Sequence, residues 1–319
     1  MNGPLPRAAR HARLHGIATL ATLATLAALA GCAVRPAPRP GPPGGWIAVL
    51  SAYAPETRAN EEAFLAGGTE LGRTNLQGVP FRQVRFEGRD LLLFPCGMSL
   101  VNAAFTTQLA LDRFPIRAVL FAGIAGGIHP GLQVGDVVVP DQWHHHSEAA
   151  YFNPRPDGRG YLVDGTFRSR GENFGFLHPQ NVHAIRPGLE TPVEMPSFPA
   201  DPALLDAARR AVRHLPPLGH AGRTSRVQVG GHGVSGPVFM DHREYRQWVR
   251  RVWQADCLDM ESTAIAQVCW ANQVPCLVVR SLSDLAGGQE GINPADANEE
   301  ETARLAARVL REIVREIPR

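Results

Sequence analysis

Three acidic residues stand where a carboxylate could work on a small polar ligand. Glu56 follows the first apolar run of the mature-looking chain, Glu261 follows Cys257–Met260, and Asp284 follows Ser283 beyond Cys276–Arg280. An ionised carboxylate accepts from paired hydroxyls or takes a proton from water, and a protonated one donates to a leaving group. A glycine-rich stretch, Gly123-Ile124-Ala125-Gly126-Gly127, also follows an apolar run directly. Glycines at a strand end let backbone N–H groups approach a ligand closely. It is not a dinucleotide fingerprint, because a second strand and not a helix is expected after it. Each feature also has a plain structural reading. Glu56 and Glu261 suit the positive end of a helix, Asp284 suits a turn before Ala286-Gly287-Gly288, and Phe239 suits a core. The run His144-His145-His146 reads as a polar loop, since adjacent histidines on a strand alternate faces and seldom share one ion. No metal or other cofactor is called for. Cys96, Cys257, Cys269 and Cys276 sit in or beside apolar runs, the usual place of inert buried thiols, and their spacing fits no zinc pattern.

Alternating strands and helices must position these groups. Trp46–Leu50 reads as a buried first strand. Phe81–Arg85 and Asp90–Phe94 flank Glu87-Gly88-Arg89 as a hairpin. Val101, Ala104, Phe105 and Leu109 mark one face of a helix that ends before Pro115. Ala118–Phe121 and Asp136–Val139 read as strands, and Asp201-Pro202 opens a helix with a capping residue and a first-turn proline. Val227–Val229 is a strand, and Asp241 is placed as the cap of a helix burying Tyr245, Trp248, Val249 and Val252. Strand Cys257–Met260, helix Ser262–Asn272, strand Cys276–Arg280 and a final helix from Asn298 complete the chain. This order predicts an α/β fold, a three-layer α/β/α sandwich with a central mixed sheet. Ligands in such folds gather beyond the carboxyl ends of the strands, which puts Ser51–Glu56, Gly123–Gly127, Met260–Glu261 and Ser283–Asp284 on one rim. The segment 143–199 is polar, irregular and long for a loop, and reads as an insertion or lid.

Several of these blocks, taken together, resemble a known family. Phe121–Ile128 with Val134–Val139, then Leu258–Ala266, then Val279–Asp284, is similar to the signature of the nucleoside phosphorylase and methylthioadenosine/S-adenosylhomocysteine nucleosidase superfamily. The resemblance covers residues 46–319, with the central insertion the poorest match. It implies that Glu261, with Met260, grips the ribose 2′- and 3′-hydroxyls of a nucleoside. It implies that Asp284 protonates or hydrogen-bonds purine N7, that Ser283 orients it, and that Phe239 stacks on the purine. Gly123 and Ala125 belong to the matching substrate-binding stretch. Glu56 matches the glutamate that activates water in the nucleosidase branch, and neither phosphate-binding arginine of the phosphorylase branch is evident. The expected reaction is hydrolysis of the N-glycosidic bond of a purine nucleoside or thionucleoside. A phosphorylase holding phosphate through Arg58 is one alternative. A nucleoside-binding or storage protein is another, because Gly123–Gly126, Pro140–Trp143 and Leu282–Gly288 are similar to a plant branch that contains storage proteins. Homo-oligomers are usual in the family.

The flanks add location. The chain of 319 residues carries 32 basic and 30 acidic side chains, and so close a balance gives no basic surface for nucleic acid. Arg7, Arg10 and Arg13, then the apolar stretch Ile17–Ala30, then Leu29-Ala30-Gly31-Cys32, have the layout of an export signal. The apolar stretch is short for a spanning helix. The ending looks like the lipobox of bacterial lipoproteins, with Cys32 the lipid attachment site. Residues 1–32 are read as that signal, 33–45 as a Pro/Gly-rich tether, and 46–319 as the catalytic domain. The expectation is an exported, periplasmic lipoprotein, anchored to the membrane through Cys32.

Overall fold

The computed structural model describes residues 39 and 41–319; the expected export signal, Cys32 and most of the expected tether lie outside the described residues. In chain order the elements are β1 (Trp46–Ser51), α1 (Ala54–Leu65), β2 (Gly68–Leu76), β3 (Val79–Phe86), β4 (Arg89–Pro95), α2 (Leu100–Arg113), β5 (Ile116–Gly127) and β6 (Val137–Val139). The middle contains only short strands: β7 (Gln142–His145), β8 (Ala149–Tyr151), β9 (Leu177–Pro179), β10 (Val182–Ala184), β11 (Val193–Met195) and β12 (Phe198–Pro199). Then follow α3 (Pro202–His214), β13 (Gly219–His220), β14 (Arg223–Thr224), β15 (Val227–Val229), β16 (His232–Ser235), α4 (Arg243–Trp253), β17 (Ala255–Asp259), α5 (Ser262–Asn272), β18 (Cys276–Asp284) and α6 (Ala295–Glu316).

The central sheet is mixed, and β5 is its spine. β5 runs parallel to β1 over Ile116–Phe121 and to β18 over Val119–Gly126, and at Gly126–Gly127 it pairs antiparallel with β17. Side chains alternate across it. Val119, Phe121 and Ala125 pack into a core that includes Ala103 and Leu109 of α2 and Ile265 and Cys269 of α5. Ala118, Leu120 and Ala122 face the opposite core, with Phe64 of α1, Leu205 of α3 and Leu310 of α6. A strand buried on both faces reads as a continuous apolar run, and that is how β1 and β5 read in the sequence. The outcome is the expected three-layer α/β sandwich with a mixed sheet.

Several local expectations need correction. The strand read as ending at Phe121 continues through Gly123–Gly127 as β5; likewise β18 runs on past Arg280 to Asp284. His144-His145-His146 is not a polar loop: β7 includes the first two, and His144 and His146 are buried. His144 contacts the Pro196 carbonyl and His146 the Tyr245 hydroxyl. Of the helix face read as Val101, Ala104, Phe105 and Leu109, Leu109 is buried and Ala104 packs against the core, but Val101 and Phe105 point outward, and Ala103, Thr107 and Ala110 complete the inward face. Asp241 does not cap α4; His242 does, its ring accepting from the Tyr245 N–H, while Asp241 accepts from the Gln289 side chain. Asp201, by contrast, caps α3 as its residue type predicts, accepting from Ala203 and Leu204 N–H at 2.9 and 3.1 Å. Both ends of segment 143–199 are stitched into the sheet, since β12 pairs with β7 and β7 with β16. Between them lie short hairpins and loop, as the lack of apolar period suggests. The four expected core thiols are buried and free.

Candidate active site

The carboxyl ends of β1, β17 and β18 converge on residues 123–126 of β5, and a cavity of about 230 Å³ opens there. Glu56, Ala125, Phe239, Met260, Glu261, Ser283 and Asp284, seven residues expected in the site, all line it. Gly123 does not. A Cβ on Gly123 would lie 2.0 Å from both Arg280 Nη1 and Glu56 Oε1, so the bare glycine makes room for an ion pair and not for a ligand. Its expected substrate-contacting place is taken by Ile124, Ala125 and Gly126.

Arg280, which the sequence reading passed over, is the centre of the site. Its guanidinium has no exposure and reaches three carboxylates: Asp259 at 2.7 Å, Glu56 at 3.2 Å and Glu261 at 3.3 Å. It also lies 3.9 Å from the centre of the Phe121 ring, a cation–π contact that fills its remaining face. Burial disfavours the charged arginine, but Asp259, Glu56 and Glu261 outweigh it and hold its pKa above the usual value. A buried cation in the middle of a strand whose nearest neighbours are Val, Ser and Leu demands partners. That demand was the available signal: Val278-Val279-Arg280-Ser281-Leu282 has one charge in an apolar run.

Glu56 sits in the first turn of α1. Its Oε2 accepts from the Ala52 N–H at 2.5 Å and its Oε1 from the Ile124 N–H at 2.8 Å. Burial pushes its pKa up; Arg280 and the two amides pull the other way without cancelling the shift. A carboxylate with a raised pKa, fixed by donors and facing a cavity, is suited to receive a proton.

Glu261 begins α5 but does not cap it with its side chain. Instead Oε1 accepts from the Ser99 N–H at 2.7 Å and Oε2 from Arg280. Ser99 holds a left-handed backbone conformation with φ 74° to present that amide, an uncommon arrangement for a residue with a side chain. Burial first, and Asp259 second, push the Glu261 carboxyl up to about 8. Asp259 itself is held by Arg280, by the Ser235 and Ser262 hydroxyls and by two backbone amides, so it organises the others from behind.

Asp284 ends β18. Its Oδ2 accepts from the Ser283 hydroxyl at 2.9 Å, as expected of an orienting serine, and its Oδ1 accepts from the Ala286 N–H at 2.7 Å and the Asn293 amide at 3.3 Å. The turn-capping role and the cavity-facing role are therefore filled by one side chain. Phe239 lies on the rim with two-thirds of its surface open, a flat apolar face available to a planar ligand. Arg58 stands elsewhere, on the exposed side of α1, paired with Glu300. Among the described residues, no histidine, arginine or lysine lines the cavity.

Comparison with known proteins gives the family and the fold. Residues 47–317 match the family model described as the phosphorylase superfamily. A 5′-methylthioadenosine/S-adenosylhomocysteine nucleosidase of Marinomonas sp. is 33% identical over 220 residues, 69% of this chain and 78% of that protein. The crystal structure of the enzyme of the same name from Neisseria meningitidis, in complex with methylthio-immucillin-A, aligns with a TM-score of 0.63 at 25% identity, covering 85% of this chain and 99% of that one. Futalosine hydrolase of Helicobacter pylori shares the fold, with a TM-score of 0.63 at 22% identity over 85% of this chain and 97% of that one.

Proposed function

The chain belongs to the phosphorylase superfamily, and on that premise we propose that it hydrolyses the N-glycosidic bond of a purine nucleoside or thionucleoside, with water as the nucleophile. One observation carries the choice of water. The cavity wall is acidic, and the one guanidinium behind it is already shared among Glu56, Asp259 and Glu261. Among the described residues, an incoming phosphate dianion would meet carboxylates and no free positively charged side chain. Arg58, the arginine a phosphorylase reading requires, is turned to Glu300 at the surface.

Each residue then has a task. The purine lies against Phe239, with N7 toward Asp284. As the bond from C1′ to N9 breaks, its electron pair passes to the purine and Asp284 supplies the proton that neutralises N7. Glu261 accepts hydrogen bonds from the ribose hydroxyls. Water adds to the electron-poor C1′ of an oxocarbenium-like transition state, and its proton passes to Glu56. Arg280 and the Ala52 and Ile124 amides fix the Glu56 carboxylate, which spares the site a reorganisation during reaction.

The test is base release from purine nucleosides by the full chain, with and without phosphate. Release should be independent of phosphate and fall by about 10²–10⁴ in Asp284→Asn and in Glu56→Gln, the range general acid–base groups supply. Strict dependence on phosphate would make the protein a phosphorylase. Nucleoside binding without any release would make it a binding protein. The proposal extends to a homo-oligomer, and to an exported lipoprotein anchored through Cys32. Metabolic labelling with a fatty acid, lost in Cys32→Ala, is the check on the anchor.

A further inference from the structure

One wall of the cavity is left over once the reaction has been accounted for. Asp284 and Phe239 serve the purine, Glu261 the two ribose hydroxyls, and Glu56 with Arg280 the water at C1′. With Asp259 and Ser283 holding those groups in place, the remaining polar lining is Tyr53, Asp296 and Glu299. Tyr53 stands immediately before α1, three residues ahead of Glu56, and Glu299 stands one turn into α6. A nucleoside has one position still unassigned, the substituent on C5′.

The two side chains are coupled. The Tyr53 hydroxyl donates to Glu299 Oε2 at 2.9 Å. Burial, and then the bond to Glu299, hold the phenol pKa above its usual value, so Tyr53 stays a neutral donor. The second carboxylate oxygen of Glu299, Oε1, makes no hydrogen bond among the described residues. An apolar group pressed against that oxygen would take it out of water and give nothing back, whereas a hydroxyl would donate to it.

Resting on the hydrolytic reading above, we propose that Tyr53 and Glu299 form the subsite for the C5′ substituent and select a free 5′-hydroxyl over an apolar 5′-thioether. This is a preference opposite to the one carried in the name of the Marinomonas relative. Asp296, exposed at the same end of α6, adds negative charge to the approach and reinforces the bias against apolar substituents.

The experiment compares adenosine, 5′-deoxyadenosine and 5′-methylthioadenosine as substrates of the full chain. The expected kcat/KM for adenosine exceeds that for either analogue on the order of tenfold or more, as for sites built to pair a substrate hydroxyl. Glu299→Leu should erase or invert that ratio, chiefly through a fall of about tenfold or more in kcat/KM for adenosine. Tyr53→Phe should move the ratio in the same direction by less. A merely structural role for Glu299 would lower all three substrates together. Higher kcat/KM for 5′-methylthioadenosine in the wild type, with the ratio unmoved by Glu299→Leu, overturns the subsite and leaves the hydrolysis standing. Calorimetric binding of the same three compounds to Asp284→Asn covers the remaining case. If no base is released but adenosine binds best, the hydrolysis fails and the subsite survives. Equal binding of all three, or none, overturns the subsite.

Discussion

Arg280 brings one positive charge into a shell of three carboxylates, Glu56, Asp259 and Glu261, with no exposure of its own. Replacing it by Met would leave the acids facing one another without a cation. Removing one partner from a buried ionic cluster typically costs about 3–5 kcal/mol, so Arg280→Met is expected to unfold at markedly lower urea and to lose base release. A urea titration with unchanged midpoint would mean that the carboxylates relax by taking up protons. The excess of acid over base also sets a pH dependence. Glu261, pushed up from 4.5 to about 8, keeps a proton in the folded state that the unfolded chain has already released. Between those values the folded state binds more protons, so its stability falls as pH rises. The contribution is fully present below 4.5 and is lost as pH climbs through about 8. Thermal unfolding followed from pH 5 to pH 9 should therefore give a declining Tm, with a shallower decline in Glu261→Gln. Some slope should persist in that variant, because burial shifts Glu56 in the same direction. A Tm that climbs over this interval would contradict the assignment.

At the scale of elements, the site depends on how closely α1 and β18 approach β5. Gly123 permits the approach: any Cβ there would fall 2.0 Å from Glu56 Oε1 and Arg280 Nη1. Gly123→Ala is expected to separate the ion pair, displace the Glu56 carboxylate and reduce kcat more than KM, because the ribose and purine contacts lie on other residues. Full kcat in this variant, measured beside its circular dichroism spectrum, would show that Glu56 has no part in catalysis. The same pair explains what the sequence could and could not disclose. Apolar runs such as Trp46–Leu50 and Ala118–Phe121 are buried on both faces, so their composition alone marks them as interior strands. Glu56, Glu261 and Asp284 were legible because they end such runs. Arg280 was not, because a charge inside an apolar run reads as the end of a strand when it is in fact the anchor of one. Gly123 was legible as a close approach, but its neighbour proved to be the protein's own ion pair. Tyr53 and Glu299 are brought together from positions 246 apart in sequence, a separation no local pattern bridges.

At the scale of the whole molecule, an apolar surface on α2 next to the site is uncovered among the described residues. Val101 is 80% exposed, Phe105 51% and Met98 58%, and Met98 also lines the cavity. Val101 and Phe105 are spaced i, i+4 on α2, so they form one stripe, and Met98 continues it into the cavity mouth. Leu109 and Ala104 of the expected face do reach the core, and only Val101 and Phe105 are left outside it, since Ala103, Thr107 and Ala110 fill the rest of the inward face. Contiguous apolar patches at a functional rim are characteristic of contacts between protein molecules, and a homodimer would bury the same stripe from both copies. A homo-oligomer closed through α2 should sediment as a dimer at micromolar concentration. Val101→Glu combined with Phe105→Glu should return it to a monomer, because two buried like charges would face their own symmetry mates. The cavity mouth ties assembly to chemistry: with Met98 shared between rim and stripe, the monomeric variant should show a raised KM for nucleoside while the Asp284 and Glu56 geometry stays intact. Sedimentation unchanged by the double substitution would place any interface elsewhere and leave α2 as a face with no role in assembly.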